Sequence, residues 1–552
     1  MDIRIAAAGL LPEDEELWAE LDGLAKQVVK RLQGNLPEVG LQLHVSPAYT
    51  GENWLKWGER NGFELFSYVT RKQGFLSKIE NETWYDTPVT RMAGEDICNK
   101  VDMIFAAWDE DAAEMNGAAW EFMEMAYQKN IPCIWISTKS RKTYCLWESY
   151  YIDYLPSYLE EVLVPLDRGS FEATRVEGKR SFVLRFWEKR RRAFLKNHKA
   201  EHRRYQSVED RILNDEFELE DPEGEPLRKR MLEKFHEFDE AAIEQSGRFT
   251  TMLYQRSVLP LIATVTLAVA CYTEVLVGKG IPLVFPGTAS AAEHVGKYIA
   301  GFCFLAYAFL NFYVYYLSKS QVVSKWQADF IKNRCVAENL RVITHFMPYG
   351  TSVDLRRLCP DDKVLCSHIM HMGDDIVPKR RKIDRKTAGD VLLHVREMIQ
   401  DQMAYQEGSF RRYASVVKHL EHWGRFVLNM ATVIVMGRAL LSFVLIAFPL
   451  DSANASSVTR SALNWLAMVI PAWAGYFSLK VSQNNYRFNY NNHKMMLTKL
   501  EKELKKTERL LSQHDMSLEV TSKVAVELAD LMLKDDTAAW KFQYRNSTLK
   551  PL

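Results

Sequence analysis

Residues 258–278 read VLPLIATVTLAVACYTEVLVG. A helix needs about 20 mostly apolar residues to cross the ~30 Å hydrocarbon core of a bilayer, because each residue rises ~1.5 Å. Residues 298–317, 426–448 and 462–479 share this length and apolar character. Core helices of soluble proteins rarely run this long with so few charges. The sequence therefore predicts four transmembrane helices.

Positive charge around the four stretches predicts their orientation. Arg256 precedes the first stretch, Lys319 follows the second, Arg425 precedes the third and Lys480 follows the fourth. The loops inside the two hairpins carry few basic residues, and no signal peptide precedes the first strand-like run. By the positive-inside rule, we expect a multi-pass protein with both termini in the cytosol.

Two ionisable residues lie inside the predicted spans. Arg438 is near the middle of the third span, and Glu274 is in the outer part of the first. A charge at the bilayer centre costs ~2.5–3.5 kcal/mol on insertion scales, so it usually faces protein or water. We expect Arg438 and Glu274 to line or gate a pore. The alternatives are a buried pair and an arginine that reaches the headgroups.

The spans form two hairpins with similar surroundings. An amphipathic helix leads into each hairpin through an R-x-V-L junction, at Arg256 and at Arg425. A long polar helix follows each hairpin, at residues 325–346 and 485–513. This pattern indicates a duplicated unit, with chance similarity of hydropathy as the alternative.

The helix after the first hairpin carries Trp326, Arg334, Glu338 and Arg341. This arrangement resembles the SLATT family of two-helix membrane modules. The resemblance implies an effector of bacterial nucleotide-signalling defence systems. The resemblance further implies that the module forms pores that kill or arrest the infected cell. We expect an oligomer, because four spans alone enclose little lumen.

The N-terminal region alternates short apolar runs with amphipathic segments. Strands are predicted at residues 4–8, 41–45, 64–70, 101–108 and 131–137, and helices at 13–33 and 114–129. This alternation predicts an α/β fold with a doubly wound parallel sheet. Sheets of this kind bind ligands beyond the carboxyl ends of their strands. The fold class is thus an N-terminal doubly wound parallel sheet followed by an all-α membrane region with long cytosolic helices.

Residues 116–121 read NGAAWE and follow the buried run DMIFAAW. Gly117 permits close approach of a ligand, and a helix N-terminus offers free N–H groups to phosphate. The stretch is similar to the SLOG superfamily and to nucleoside deoxyribosyltransferases. The resemblance implies a nucleotide-type ligand held by Asn116, Gly117, Ala118 and Glu121. Ala118 stands where threonine is usual in those families.

Further candidate ligand contacts follow the other strands of the predicted sheet. The first strand ends at Gly9, and basic residues that neutralise phosphate follow the third strand. The remaining candidates are Tyr49, Thr50, Gly51, Glu52, Arg71, Lys72 and Asp109. An ordinary strand–helix loop is the alternative for each.

Two rival functions stay open. A membrane-tethered nucleoside or NAD hydrolase, or an N-glycosidic transferase, would use Glu121 with Asp109 as acid or base. An ion channel with a regulatory nucleotide-binding domain is the other rival. Fusion to membrane spans favours a sensor, because an enzyme of this type needs no pore. The sequence contains no P-loop, HExxH or GxSxG motif.

Composition restricts the partners. Basic and acidic residues number 71 each, so nothing indicates a nucleic-acid polymer. Eight cysteines without a CxxC pair indicate reduced thiols, and no metal or cofactor site is expected. The basic run at residues 379–382 is expected beside the membrane.

The predicted ligand is a nucleotide second messenger or an NAD-derived molecule. The expected function is that of a membrane effector gated by this ligand. We expect the effector to act as a homo-oligomer in the lipid bilayer. We divide the chain into a nucleotide-recognition domain (1–145), a helical connector (146–250), a first hairpin unit (251–346), a polar insert (347–400), a second hairpin unit (401–515) and a C-terminal helix with tail (516–552).

Overall fold

A computed structural model describes most of the chain. The described residues are 2–33, 40–70, 81–85, 90–108, 118–129, 131–146, 173–175, 182–196, 225–278, 289–319, 321–346, 369, 380–383, 385–447, 465–466, 469–470, 473, 476–477, 486–513 and 517–536. The N-terminal region contains β1 (Asp2–Gly9), α1 (Glu15–Gln33), β2 (Gly40–Val45), α2 (Asn53–Arg60), β3 (Glu64–Thr70), β4 (Asn81–Tyr85), α3 (Thr90–Lys100), β5 (Met103–Trp108), α4 (Ala118–Gln128), β6 (Cys133–Ser137) and β7 (Thr143–Leu146).

The strands form one sheet in the order β7-β6-β5-β1-β2-β3-β4-β8, where β8 is Arg380–Ile383. The prediction of a wholly parallel sheet was wrong at one edge, because β7 runs antiparallel to β6 while the other neighbours are parallel. A parallel neighbour requires a long crossover connection. Only residues 138–142 separate β6 from β7, so β7 can return only as an antiparallel strand. The sheet is therefore mixed.

Helices cover both faces of the sheet, as a doubly wound fold requires. One core packs α1 and α2 on the sheet through Leu17, Leu21, Trp54 and Trp57. The other packs α3 and α4 on the opposite face. All six residues of β5 are buried, which explains why its sequence MIFAAW shows no polar alternation. The predicted α/β class is confirmed in this form.

Strand β8 was not predicted. It pairs in parallel with β4, with Glu82 opposite Arg380 and Tyr85 opposite Ile383. Three residues of the basic run at 379–382 belong to β8, so this run forms part of a sheet edge. Its position beside the membrane stays a prediction. The sheet thus includes a strand from the segment that we assigned to a polar insert.

The rest of the described chain is mainly helical. It contains α5 (Phe182–Lys196), α6 (Glu225–Gly278), α7 (Ala289–Lys319), α8 (Gln321–Phe346), α9 (Arg385–Ala447), α10 (Tyr486–Ser512) and α11 (Leu518–Asp530). The longest are α6, with 54 residues, and α9, with 63 residues. At ~1.5 Å per residue, α9 extends for about 95 Å. Helix α6 continues through position 250 and α9 continues through position 400, where our domain division placed boundaries.

A third hydrophobic core joins several of these helices. It contains buried side chains from the first part of α6, the second part of α8, the first part of α9, and α10 and α11. The sheet core also includes Ala388 of α9 and Leu518 of α11. The start of α9 therefore packs against the sheet, while the following turns belong to the helical bundle.

Two helices among the described residues are long and apolar enough to cross a membrane. They are Arg228–Glu274, within α6, and His294–Leu317, within α7. The third predicted span, residues 426–448, is helical as far as Ala447 but does not meet the same criterion over its described residues. The fourth, residues 462–479, lies mostly outside the described residues. Two candidate spans thus stand where four were predicted.

The expectation of reduced cysteines was wrong for Cys335, which is disulfide-bonded. Its partner is not among the side chains that the structure describes. Cys98, Cys133, Cys271 and Cys303 are free. A disulfide joins residues that are close in space, so spacing along the sequence did not reveal it.

Candidate functional site

The sheet has a topological switch point between β1 and β5. From β1 the chain continues through β2, β3 and β4 in one direction, and then from β5 to β6 in the other. Connections on either side of such a point diverge to opposite faces and leave a crevice at the carboxyl ends of the strands. Gly9 ends β1 and Trp108 ends β5. These two residues mark the candidate site.

Gly9 has a structural reason to be glycine. Its φ is +82°, and a Cβ built on it would lie 2.0 Å from the carbonyl oxygen of Ala107. Its N–H donates to the carbonyl of Tyr49 (2.8 Å), and its own carbonyl accepts from the N–H of Gly51 (3.2 Å) and from Nε1 of Trp54 (3.1 Å). Gly9 therefore locks the end of β1 to β5 and to the loop after β2.

The loop after β2 lies at this edge, but most of its predicted contacts are used by the framework. The Thr50 hydroxyl donates to the carbonyl of Ala7 (3.0 Å). Tyr49 is buried and stacks on Phe122 of α4, with ring centroids 5.0 Å apart. Gly51 is half-buried and Glu52 is exposed. Of this loop, Glu52 presents the most accessible polar side chain.

The N-terminus of α1 is not an open anion site. Asp14 caps it, accepting from the N–H groups of Glu16 (3.0 Å) and Leu17 (3.4 Å). Arg141, after β6, pairs with Asp14 and with Glu16. Carboxylates of the protein thus occupy the position where a phosphate would bind the helix dipole.

The first turn of α4 is accessible. Ala118, Trp120 and Glu121 are exposed. Trp120 meets Trp108 edge to face, at 6.3 Å between ring centroids. A nucleobase could stack on the open face of a tryptophan in this position.

Trp120 begins a row of aromatic side chains along the edge strands. Trp108 stacks on Trp135 at 4.9 Å, and Trp135 stacks on Tyr144 of β7 at 4.7 Å. Nε1 of Trp108 is buried, and none of the residues that the structure describes accepts a hydrogen bond from it. This buried donor lies at the carboxyl end of β5, where a doubly wound sheet binds its ligand. Our sequence analysis did not assign these tryptophans, although both predicted strands and the NGAAWE segment carry one.

Several predicted contacts fall outside the described residues. These are Arg71, Lys72, Asp109, Asn116 and Gly117. Their assignment to the ligand site stays a prediction. Among the described residues, no group of three or more His, Cys, Asp or Glu side chains is placed to hold a metal.

A buried polar group also lies under the α3 and α4 face. His44 of β2 shares a 3.0 Å hydrogen bond through Nδ1 with the Tyr68 hydroxyl and stacks on Phe66 at 4.7 Å. Burial, with Lys100 and Arg4 nearby, holds the pKa of His44 well below its ordinary value. Burial therefore favours the neutral form of His44.

The second candidate region is an apolar surface. Tyr298, Phe302, Leu305, Phe309, Phe312 and Tyr316 recur on one face of α7, which we call the α7 stripe, and each is 61–77% exposed. Aromatic side chains carry 150–250 Å² each, so the stripe exposes roughly 800 Å². That exceeds the largest apolar patch of a typical soluble monomer.

The second half of α9 has a similar face. Phe426, Val433, Met436, Leu440 and Phe443 form an α9 stripe of exposed apolar side chains. Arg438 is exposed in the same part of α9, and Glu274 is exposed near the end of α6. A pore role for these two residues stays a prediction.

Comparisons with known proteins give no relative. The chain matches no protein-family profile, no curated protein and no solved structure.

Proposed function

We propose that this protein is a membrane effector gated by a nucleotide-derived ligand. In this proposal the sheet binds the ligand at its switch point, and four spans in a bacterial inner membrane, with both termini cytosolic, carry out the response as a homo-oligomer. The SLOG and SLATT resemblances support a defence role that ends in pore formation or membrane disruption.

One observation carries the proposal: α9 is continuous from the sheet to the apolar surface. It begins two residues after β8, its Ala388 packs in the sheet core, and its last turns carry the α9 stripe. A movement at the sheet is therefore transmitted along one helix. A ligand shifts such an equilibrium only through different affinity for the two states, and ~5.5 kcal/mol moves a population from 1:99 to 99:1.

The membrane half rests on the exposed stripes. Transfer of each large side chain of the α7 stripe from water to an apolar environment is worth up to ~3 kcal/mol. The lipid of a bilayer would provide such an environment. We expect the full-length protein to stay in the membrane pellet after alkaline extraction. Recovery of a monodisperse protein without detergent would overturn this half of the proposal.

The ligand half is tested by thermal stabilisation. The detergent-purified full-length protein is screened with cyclic oligonucleotides, NAD and ADP-ribose. Stacking of a base on Trp120 is worth ~1–3 kcal/mol, so Trp120→Ala should weaken binding between about fivefold and 150-fold. Tyr127→Ala is the matched control, because Tyr127 is an exposed aromatic residue near the opposite end of α4. Equal affinity of the two variants would refute the stacking site.

The coupling is tested by breaking α9 between its two ends. Lys418 is exposed in the helix interior, where proline costs ~3 kcal/mol and kinks the helix. Lys418→Pro should retain ligand binding and lose ligand-dependent flux from liposomes, and Lys418→Ala should retain both. Flux without ligand in the unaltered protein would favour an ion channel. Turnover of the ligand that is abolished by Glu121→Gln would favour the hydrolase.

A further inference from the structure

Helix α5 has two unlike faces. Its sequence is FVLRFWEKRRRAFLK, with six basic residues and one acidic residue. Leu184 and Glu188 are buried, and Trp187, Arg191 and Phe194 are half-buried on the same side. The opposite side is exposed over residues 182–193, the part of this side whose burial the structure describes. The exposed side is apolar at Phe182, Val183 and Phe186 and basic at Arg185, Lys189, Arg190 and Arg192.

The buried face of α5 fixes its position along α6. Trp187 contacts Tyr254 edge to face at 6.1 Å, and Nε of Arg191 donates to the Thr251 hydroxyl at 3.1 Å. Tyr254 lies one helical turn before Val258, where the first predicted span begins. Helix α5 is therefore attached to the last cytosolic turns of α6, at the level where headgroups would surround the helix.

The exposed face has the composition of a helix that lies in a membrane surface. Such helices insert a few large apolar residues at the boundary of the acyl chains and place Lys and Arg on anionic headgroups. On α5 the guanidinium of Arg190 lies 5.4 Å from the centre of the Phe186 ring. An apolar side chain and a positive charge are therefore adjacent on the exposed face. Phe182, which is 80% exposed, and the half-exposed Val183 and Phe186 continue this apolar part of the face.

We propose that α5 is an anionic-lipid-binding helix that lies flat on the cytosolic leaflet. Phe182 and Phe186 enter the headgroup region, and Arg185, Lys189 and Arg190 bind lipid phosphates. This inference rests on the membrane half of the proposed function. The inference adds that the response depends on anionic lipid, because the headgroups would hold α5, part of the connector between the sheet and the first span.

Hydrogen exchange of the full-length protein in nanodiscs tests the helix directly. One set of discs contains phosphatidylcholine alone, and the other an equal mixture with phosphatidylglycerol. Each basic residue near an anionic surface strengthens binding of the helix to that surface by about fivefold. With three such residues, the amides of residues 182–196 should exchange at least tenfold more slowly in the mixed discs. Arg185→Gln/Lys189→Gln/Arg190→Gln should abolish that difference.

A second triple variant controls for net charge. Lys502, Lys505 and Arg509 are exposed on α10, far along the chain from the predicted spans. Lys502→Gln/Lys505→Gln/Arg509→Gln removes the same charge and should leave the lipid dependence of α5 intact.

The outcomes separate this inference from the proposed function. Protection of residues 298–317 in both kinds of disc, without any effect of phosphatidylglycerol on α5, would overturn the inference alone and would favour a protein partner for the basic face. Rapid exchange of residues 298–317 in both discs would overturn the membrane proposal itself.

Discussion

Replacing Gly9 by alanine tests how tightly β1 and β5 close at the switch point. A Cβ at Gly9 would lie 2.0 Å from the carbonyl oxygen of Ala107, whereas an ordinary C···O contact is about 3.3 Å. The two strand ends must therefore separate by roughly 1 Å. The left-handed φ of +82° adds a second cost, since side chains with a Cβ avoid this region.

The size of the effect follows from the bonds at Gly9. The left-handed conformation costs ~1 kcal/mol, and the three hydrogen bonds that Gly9 makes contribute ~1 kcal/mol each. We therefore expect Gly9→Ala to lower the local free energy of unfolding by about 4 kcal/mol. Gly62 is the matched control, because its φ is +72° and a Cβ there meets no atom within 4 Å. Gly62→Ala should cost only the conformational term of ~1 kcal/mol.

Hydrogen exchange in the full-length, detergent-purified variants measures the difference. Exchange of the amides of β1 and β5 reports local opening, and 3 kcal/mol corresponds to about a 150-fold change in rate. Gly9→Ala should exceed Gly62→Ala by about that factor, or fail to accumulate while Gly62→Ala does. Equal exchange in the two variants would show that the strand ends relax freely, and the steric argument would be wrong.

Three further predictions concern polar groups that are buried or half-buried. Burial holds the pKa of His493 at about 4, below its value of ~6.5 in an unfolded chain. As the pH falls, the unfolded state therefore binds a proton before the folded state does. The free energy of unfolding should then decrease as the pH drops from 6.5 to 4. His493→Gln should remove part of this fall in a series of melting temperatures. Thr50→Val deletes the hydroxyl that donates to Ala7 and should cost ~1–2 kcal/mol, whereas Thr50→Ser should recover most of it in the same assay. Asp96→Asn leaves the buried ammonium of Lys100 without its carboxylate and should cost ~3–5 kcal/mol, a loss that a simultaneous Lys100→Met should reduce in chemical denaturation.

The parts of the fold that sequence reasoning found are those with a local signal. The strands at Asp2–Gly9, Glu64–Thr70, Met103–Trp108 and Cys133–Ser137 are apolar runs between breaks, and each was predicted within a few residues. Burial on both faces removes polar alternation, so a short apolar run is itself the signal of a central parallel strand.

Strand β8 could not be found in this way. Its sequence RRKI is basic, and its partner β4 is far away in the chain. Edge strands tolerate charge, and charge there prevents pairing with other molecules. The same four residues therefore fit a juxtamembrane segment and a sheet edge equally well until the partner strand is known.

At the candidate site, sequence reasoning placed several residues at the edge of the sheet where the structure has them, and their roles in binding stay predictions. Gly9 and Thr50 lie at the switch point as expected, yet their described contacts are to the protein itself. The row formed by Trp120, Trp108, Trp135 and Tyr144 was missed, because residues from a helix and three strands meet there only after folding.

Strand β8 also sets an order of events at the ribosome. The chain is made from its N-terminus, so the segment that ends with β4 at Tyr85 emerges long before Arg380. Helices α6, α7 and α8 are synthesised in the interval. Throughout that time the nascent sheet has an open flank at β4, which a chaperone can occupy or a neighbouring nascent chain can invade. The sheet is therefore completed only after α6, α7 and α8 have been synthesised.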